Sequence, residues 1–149
     1  MQWGTEQEPL ARTIYEFMTD AAVTKIGVVM HPSIDMACAS ADGLVGSHGL
    51  VEIKCPNTAT HIETLLGSGI DGRYIKQKQW QMTCTGANWC DFVSFDPRMP
   101  ADMQIHIQRI ERDAVMIADL EQAAQSFLAE VDATVAKLVG KFRTQEAAE

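Results

Sequence analysis

The sequence predicts an α/β (α+β) fold with a central mixed β-sheet flanked by helices. Three observations lead to this prediction. Apolar residues recur at helical spacing at both ends of the chain, short β-rich runs lie between them, and helical segments separate those runs. The 149 residues are enough to bury a sizeable core, so we expect one domain over residues 1–149.

The first predicted helix covers residues 4–19, where apolar side chains recur three and four positions apart. Pro9 is tolerated only in the first turn of a helix, because it lacks the backbone N–H that later turns use. We therefore expect the helix to begin near Glu6 or Glu8, with Thr5 as its N-cap.

The remaining elements follow from their apolar periods and from the glycines and prolines that bound them. We expect strands at residues 23–30, 36–39, 91–95 and 103–110, and helices at residues 58–66, 74–85 and 111–140. Gly86 is the predicted C-cap of the helix over residues 74–85. Residues 141–149 are polar, and we expect them to form a frayed tail.

The most informative stretch is residues 40–56, which reads as two short strands joined by a tight turn at residues 46–49. The side-chain period of a strand is two, so Glu52 and Lys54 share one face. Pairing about the turn places Asp42 within about one position of Glu52. Two carboxylates and a lysine therefore converge at one end of this hairpin.

This arrangement suits a hard divalent cation and a polarised phosphate. Hydrolysis of a phosphodiester requires neutralisation of a charged centre and a source of hydroxide near neutral pH, and Mg²⁺ held by one or two carboxylates supplies both. A neighbouring lysine adds a point charge that stabilises or orients the reacting groups. The alternative is a surface hairpin with a salt bridge, which is common and contributes little to stability.

Further segments accompany the hairpin and cover nearly the whole chain. They are Trp3-Gly4…Glu8…Ala11-Arg12, then Ala37 to Leu44 around Asp42, then Gly49 to Pro56 around Glu52 and Lys54, then Tyr74…Gln77-Lys78-Gln79…Met82, and then Asp96-Pro97-Arg98-Met99. In this order the segments resemble the PD-(D/E)XK nuclease superfamily with its restriction-endonuclease-like core. Within it they resemble the phage lambda exonuclease and YqaJ-type viral recombinase family.

The resemblance implies a set of metal ligands. Asp42 resembles the central aspartate that binds metal, Glu52 the second carboxylate ligand, and the Ile53 carbonyl the backbone ligand beside it. Glu8 resembles the glutamate of the first helix that completes the site, with Glu6 as the alternative. The implied cofactor is Mg²⁺, for which Mn²⁺ can substitute.

The resemblance also implies two residues that act beside the metal. Lys54 resembles the catalytic lysine, and Gln79 resembles the glutamine that supports the lysine and the attacking water. Gln77 and Gln81 are one helical turn apart and share a face, whereas Gln79 points elsewhere. Only one of these two sides can meet the metal.

Basic side chains near the hairpin are the candidates for contact with DNA. They are Arg73, Lys76, Lys78 and Arg98, and the alternative for each is ordinary solvation of a surface charge. The formal net charge of −8 argues against a protein that coats nucleic acid through general basicity. It is compatible with a locally basic groove whose carboxylates are neutralised by metal.

The function implied by the resemblance is a Mg²⁺-dependent DNA nuclease that leaves 5′-phosphates. Family members imply 5′-to-3′ digestion of duplex DNA ends in phage-type recombination, a single-strand annealing partner, a ring of subunits, and a place in the host cytoplasm. The family usually carries a helical segment upstream of Trp3-Gly4, so a nicking or structure-specific endonuclease remains an alternative. The other alternative is a non-catalytic DNA-binding or assembly module. The presence of Asp42, Glu52 and Lys54 argues against it.

Composition disfavours several other classes. No apolar run approaches the roughly 20 residues of a membrane span, and residues 1–6 lack the features of a signal peptide. The four cysteines, at positions 38, 55, 84 and 90, contain no C-x2-C pair, which disfavours a zinc ribbon. They also lack the clustering near the C-terminus that an iron–sulfur nuclease of this superfamily requires.

Overall fold

The structure, a computed structural model, describes residues 2–143. Its helices are α1 (Gln2–Thr19), α2 (Thr58–Leu65), α3 (Gly72–Thr85) and α4 (Ala114–Arg143). Its strands are β1 (Val23–Thr24), β2 (Val28–Met30), β3 (Cys38–Ser40), β4 (Gly43–Val45), β5 (Gly49–Lys54), β6 (Trp89–Phe95) and β7 (Ile105–Glu111).

Five of these strands form one sheet in the order β1-β4-β5-β6-β7, and β2 pairs with β3 in a separate ribbon. Strands β5 and β6 are parallel, whereas the other neighbours are antiparallel. The chain between β5 and β6 supplies α2 and α3, as a parallel connection requires. The predicted mixed sheet with flanking helices is confirmed.

The core lies on both faces of β5 and β6. On one face, Ala11 and Tyr15 of α1 pack in a cluster with Val51 and Ile53 of β5. On the other face, Leu50 clusters with side chains that include Met82 of α3. The period of two along β5 therefore separates the α1 side of the sheet from the α3 side, and it places Glu52 and Lys54 on the latter.

The hairpin of β4 and β5 has the predicted turn. Gly43 pairs with Val51, and Val45 pairs with Gly49, so residues 46–48 make the connection. Gly46 has a φ of 59°, in the left-handed region that glycine enters without strain. This register sets Asp42, immediately before β4, beside the end of β5.

Tertiary contacts move several element boundaries from their predicted positions. Helix α1 begins at Gln2, so Thr5 lies inside it and the predicted N-cap is wrong. The first turn is held from outside, because the guanidinium of Arg98 stacks over the Trp3 ring at 4.7 Å. The predicted strand over residues 23–30 is two strands, and β1 and β2 belong to different sheets.

The ends of α3 and α4 show why the other boundaries shift. Gly86 has a φ of 75° and donates its N–H to the Met82 carbonyl, which confirms the predicted C-cap. Helix α4 begins at Ala114 rather than at residue 111, because the Asp113 carboxylate accepts the N–H groups of Val115 and Met116. Strand β7 can therefore continue to Glu111.

The C-terminal half of α4 extends beyond the rest of the fold. Every residue from 129 to 143 is exposed, including Val135 and Phe142. Of the predicted frayed tail, residues 141–143 form the end of α4, and residues 144–149 lie outside the described part of the chain. In the described part, no helix is long and apolar enough to cross a membrane.

Candidate active site

A cavity of about 680 Å³ opens where the hairpin meets α1, α2 and the segment leading into α3. Its lining includes Glu8, Asp42, Ile53 and Lys54, so the structure brings together most of the residues that the sequence singled out. Glu52 is buried, with 3% of its area exposed, and it is hydrogen-bonded to Lys54 of this lining.

Asp42 is held at the cavity by the backbone of β5. Its Oδ2 accepts a hydrogen bond of 2.7 Å from the Ile53 N–H. Burial raises the pKa of the Asp42 carboxyl, and the negative charges of Glu52 and Glu8 raise it further, whereas the Ile53 bond and the charge of Lys54 oppose the rise. Three carboxylates are therefore crowded in a place where added positive charge is favourable.

Both oxygens of Glu52 are held by side-chain donors. Lys54 donates from Nζ to Oε1 at 2.6 Å, and Gln81 donates from Nε2 to Oε2 at 2.9 Å. The same Gln81 amide donates to the Ser40 carbonyl at 2.7 Å, which ties the site to β3. Burial lowers the pKa of Lys54, but the hydrogen bond and charge of Glu52 outweigh it, so the net shift is upward and the ammonium stays charged.

The chemistry of these ligands fits Mg²⁺. Within residues 2–143, no three His, Cys, Asp or Glu side chains form a ready-made metal cage. Mg²⁺ needs no such cage, because it binds through one or two carboxylates and keeps several waters. The Asp42 and Glu8 carboxylates line the cavity together with Ile53, whose carbonyl is the predicted backbone ligand, and the buried Glu52 is hydrogen-bonded to Lys54 of the same lining. This set of hard oxygen donors matches that preference.

Comparison with known proteins identifies the family of the chain. The model of the YqaJ-like viral recombinase domain matches residues 1–88. The chain belongs to this family. This confirms the predicted resemblance. No curated protein matches the chain significantly.

This YqaJ-like chain is also similar to solved structures over nearly its whole length. The structure of LHK-Exo in complex with dAMP has a TM-score of 0.94 and 52% identity, over 97% of this chain and 74% of that one. The alkaline exonuclease LHK-Exo from Laribacter hongkongensis has a TM-score of 0.91 and 51% identity, over 99% and 74%. A phage-related exonuclease from Haemophilus somnus 129PT has a TM-score of 0.70 and 18% identity over 90% and 72%, which shows the fold alone.

In the YqaJ-like chain, Gln81 rather than Gln79 is the glutamine of α3 that reaches the site, where it contacts Glu52. Gln79 donates from Nε2 to the Glu111 carbonyl and accepts the Asp113 N–H, both at 2.8 Å, so it joins α3 to the β7–α4 connection. The prediction that Gln79 supports the lysine is therefore wrong. Residues two apart on a helix point in nearly opposite directions, and the phase of α3 presents Gln81 to Glu52.

Lys78 lies inside the protein, so the prediction that it contacts DNA is wrong. Its side chain has no exposed area, and its Nζ is 3.7 Å from Glu52 Oε1. The Nζ also lies 5.2 Å from the centre of the Tyr74 ring and 5.4 Å from that of Phe92. Burial lowers the pKa of Lys78, and the charge of Glu52 opposes this shift. In the sequence, the spacing of four residues between Tyr74 and Lys78 indicates that both side chains lie on one face of α3, and Tyr74 lines the cavity.

The other three predicted DNA contacts lie on the surface. Arg73 lines the cavity and is 87% exposed, although it pairs with Asp71 at 2.8 Å. Lys76 is exposed on α3. Arg98 pairs with the buried Asp96 at 2.7 Å and stacks on Trp3, as described above. The Arg98 guanidinium, which holds the pKa of Asp96 well below its usual range, is thus largely committed to a structural contact.

Proposed function

We propose that this YqaJ-like chain is a Mg²⁺-dependent deoxyribonuclease that digests duplex DNA from its ends in the 5′-to-3′ direction and leaves 5′-phosphates. The observation that supports the chemistry is that Asp42 and Lys54 line one cavity, with Lys54 hydrogen-bonded to the buried Glu52. The half-identical relatives are alkaline exonucleases, which supports the reaction class. The metal, the polarity and the products are parts of the proposal.

The residues that would hold Mg²⁺ are Asp42, Glu52, Glu8 and the Ile53 carbonyl. Bound there, Mg²⁺ supplies positive charge to the scissile phosphate and lowers the pKa of water beside it. Mn²⁺ accepts the same oxygen ligands, so we expect it to substitute. Gln81 keeps the Glu52 carboxylate in place, and the Ile53 N–H does the same for Asp42.

Lys54 supplies the charge that the reacting phosphate requires. Its ammonium stands at the cavity with a third of its side chain exposed, so it can reach a phosphate oxygen or the attacking water. Water attacks phosphorus in line with the departing 3′ oxygen, which takes a proton and leaves as a 3′-hydroxyl. The phosphate remains on the 5′ side of the next nucleotide, which accounts for the proposed 5′-phosphate product.

Arg73 and Lys76 are the cations that we assign to the DNA backbone. Arg73 is exposed at the cavity and Lys76 is exposed on α3, whereas Lys78 and Arg98 are engaged elsewhere. An annealing protein as partner, a ring of subunits and a place in the host cytoplasm complete the proposal, on the family resemblance. Sedimentation of the purified chain, alone and with a single-strand annealing protein, tests the ring and the partner.

Digestion of linear, nicked and closed circular duplex DNA, with and without a 5′-phosphate, tests this function. We expect loss of the linear duplex in Mg²⁺, survival of closed circles, and no cleavage with a chelator. Glu52→Ala and Lys54→Ala should abolish cleavage while circular dichroism shows a retained fold. Full activity in either variant would contradict the site. Degradation of closed circles would replace the exonuclease with the endonuclease alternative.

A further inference from the structure

A hydroxyl–imidazole pair forms part of the cavity floor beside the candidate active site. Ser94, on β6, lines the cavity, and His61, on α2, is fully buried behind it. The Ser94 Oγ is 2.7 Å from His61 Nδ1, and His61 Nε2 is 2.8 Å from the Met103 carbonyl oxygen.

The partners of this pair fix the direction of each hydrogen bond. The Met103 carbonyl only accepts, so His61 Nε2 must carry the ring proton. Neither partner of the ring is charged. With the one ring proton on Nε2, Nδ1 is an acceptor and the Ser94 hydroxyl donates its hydrogen to it. With its hydrogen committed, the Ser94 oxygen offers only lone pairs to the cavity.

The sheet places this acceptor beside the lysine of the site. Lys54 and Ser94 are partners in the parallel β5–β6 ladder, and such partners project from the same face of the sheet. An ammonium has three donors. Among the described residues, the hydrogen bond from Lys54 Nζ goes to Glu52 Oε1. Two donors therefore remain for groups in the cavity.

We propose that Ser94 is a positioning residue for Lys54, and that its oxygen, oriented by His61, accepts a hydrogen bond from Nζ when Glu52 ligates Mg²⁺. This inference rests on the proposed function. A cation held by Glu52 would compete with Lys54 for this carboxylate, so the ammonium would need another acceptor to stay beside the phosphate. Ser94 provides a neutral one, which leaves the lysine charge available to the substrate.

The tautomer of His61 gives the first test, on the wild-type protein. Nitrogen-15 NMR of the imidazole ring should show the proton on Nε2 and a bare Nδ1, with and without Mg²⁺. A proton on Nδ1 would overturn the inference, because the Ser94 hydrogen would then be free to point into the cavity.

Ser94→Ala and Ser94→Thr give the second test, with Ser68→Ala as a control that removes a hydroxyl from the same cavity. We expect Ser94→Ala to lower kcat roughly 10- to 100-fold with little change in KM, and Ser94→Thr to restore most of it. In Mg²⁺, the Lys54 ammonium signal in nitrogen-15 NMR should be protected from exchange in wild type and Ser94→Thr, but not in Ser94→Ala. Ser68→Ala should match wild type in both measurements.

The two readouts separate the inference from the proposed function. If wild type cleaves DNA and Ser94→Ala equals it in kcat and in the Lys54 signal, the positioning role is wrong and the nuclease stands. If wild type cleaves no DNA, the proposed function fails, and an Lys54 signal unchanged by Ser94→Ala would overturn the positioning role as well.

Discussion

The negative charge of Asp42, which the proposed metal binding requires, destabilises the folded protein. It is partly buried, and its pKa is raised by that burial and by the charges of Glu52 and Glu8. A carboxyl whose pKa is higher in the folded than in the unfolded state stabilises the fold at low pH. That contribution disappears as the pH rises through the folded pKa. The ionised Asp42 therefore destabilises the folded protein at neutral pH unless a cation offsets its charge.

We predict that Asp42→Asn is more stable than wild type at pH 7 in the presence of a chelator. The amide oxygen can still accept the Ile53 N–H, and the repulsion from Glu52 and Glu8 is gone. Thermal unfolding between pH 3 and pH 8 measures the difference. It should be small below the ordinary pKa of an aspartate and grow as pH rises. A wild type more stable than Asp42→Asn at pH 7 would contradict this electrostatic picture.

Gln81 and Gln79 give a matched pair of substitutions on one helix. We predict that Gln81→Leu weakens Mg²⁺ binding roughly 10- to 100-fold, because the amide that fixes Glu52 Oε2 is lost. Gln79→Leu should cost about 1 kcal/mol of stability with no effect on Mg²⁺ affinity, since its side-chain hydrogen bonds within the described residues go to the backbone of Glu111 and Asp113. The Tm of each variant without Mg²⁺ measures the cost in stability, and the rise in Tm on addition of Mg²⁺ measures the affinity. Equal Mg²⁺-induced rises in Tm in the two variants would contradict the role of Gln81 in holding Glu52.

The residues that the sequence could identify are those whose positions depend on local geometry. The relative placement of Asp42, Glu52 and Lys54 is set by a tight turn and by the strand period of two, and a few residues of sequence are enough to predict both. Gln79 was misassigned, because the choice between opposite sides of α3 depends on how the helix docks on the sheet. The burial of Lys78 depends on the same docking.

At the scale of elements, the β4–β5 hairpin depends on a close approach between Gly49 and Trp89. A Cβ added at Gly49 would overlap the indole ring of Trp89. The Arg109 guanidinium stacks on that ring at 3.6 Å and is paired with the buried Asp91, which holds the ring in place. Gly49 therefore provides the space that the Trp89 ring occupies beside the start of β5.

We predict that Gly49→Ala costs about 1–3 kcal/mol of unfolding free energy, as overpacking of a tight contact does. Gly27→Ala is the control, since a Cβ there meets nothing within 4 Å and its φ is not in the left-handed region. Urea denaturation of both variants measures the costs. A Gly49→Ala variant as stable as Gly27→Ala would show that Trp89 can move.

The element boundaries that the sequence missed are those set by distant contacts. The cap of α3 at Gly86 is local and was predicted. The start of α1 depends on Trp3 meeting Arg98, which lies far along the chain. The split of residues 23–30 between two sheets depends on which strands they meet, β4 for one part and β3 for the other.

At the scale of the whole molecule, α4 has a packed half and an exposed half. Glu121 of the packed half accepts hydrogen bonds from Thr83 at 2.9 Å and from His31 at 3.2 Å, so it joins α4 to α3 and to the loop after β2. Residues 129–143 are all exposed and add little to the core.

We predict that a chain ending at Glu130 unfolds with a free energy within about 1 kcal/mol of the full chain, since the removed residues bury little surface. A chain ending at Leu120 should be much less stable, because it also loses Glu121 and the hydrogen bonds that Glu121 accepts from Thr83 and His31. Denaturation at low protein concentration measures both. A large loss in the longer truncation would mean that the exposed half of α4 stabilises the fold through contacts beyond those described.

We propose that Asp42 and its neighbours bind a divalent cation for phosphodiester hydrolysis. Calorimetric titration of Mn²⁺ into wild type, Asp42→Asn and Asp71→Asn tests it most directly. Asp71 lines the same cavity but is paired with Arg73 on the surface, which makes it the matched control. We predict that wild type and Asp71→Asn bind Mn²⁺ alike and that Asp42→Asn loses the site. Equal binding by all three proteins would contradict it.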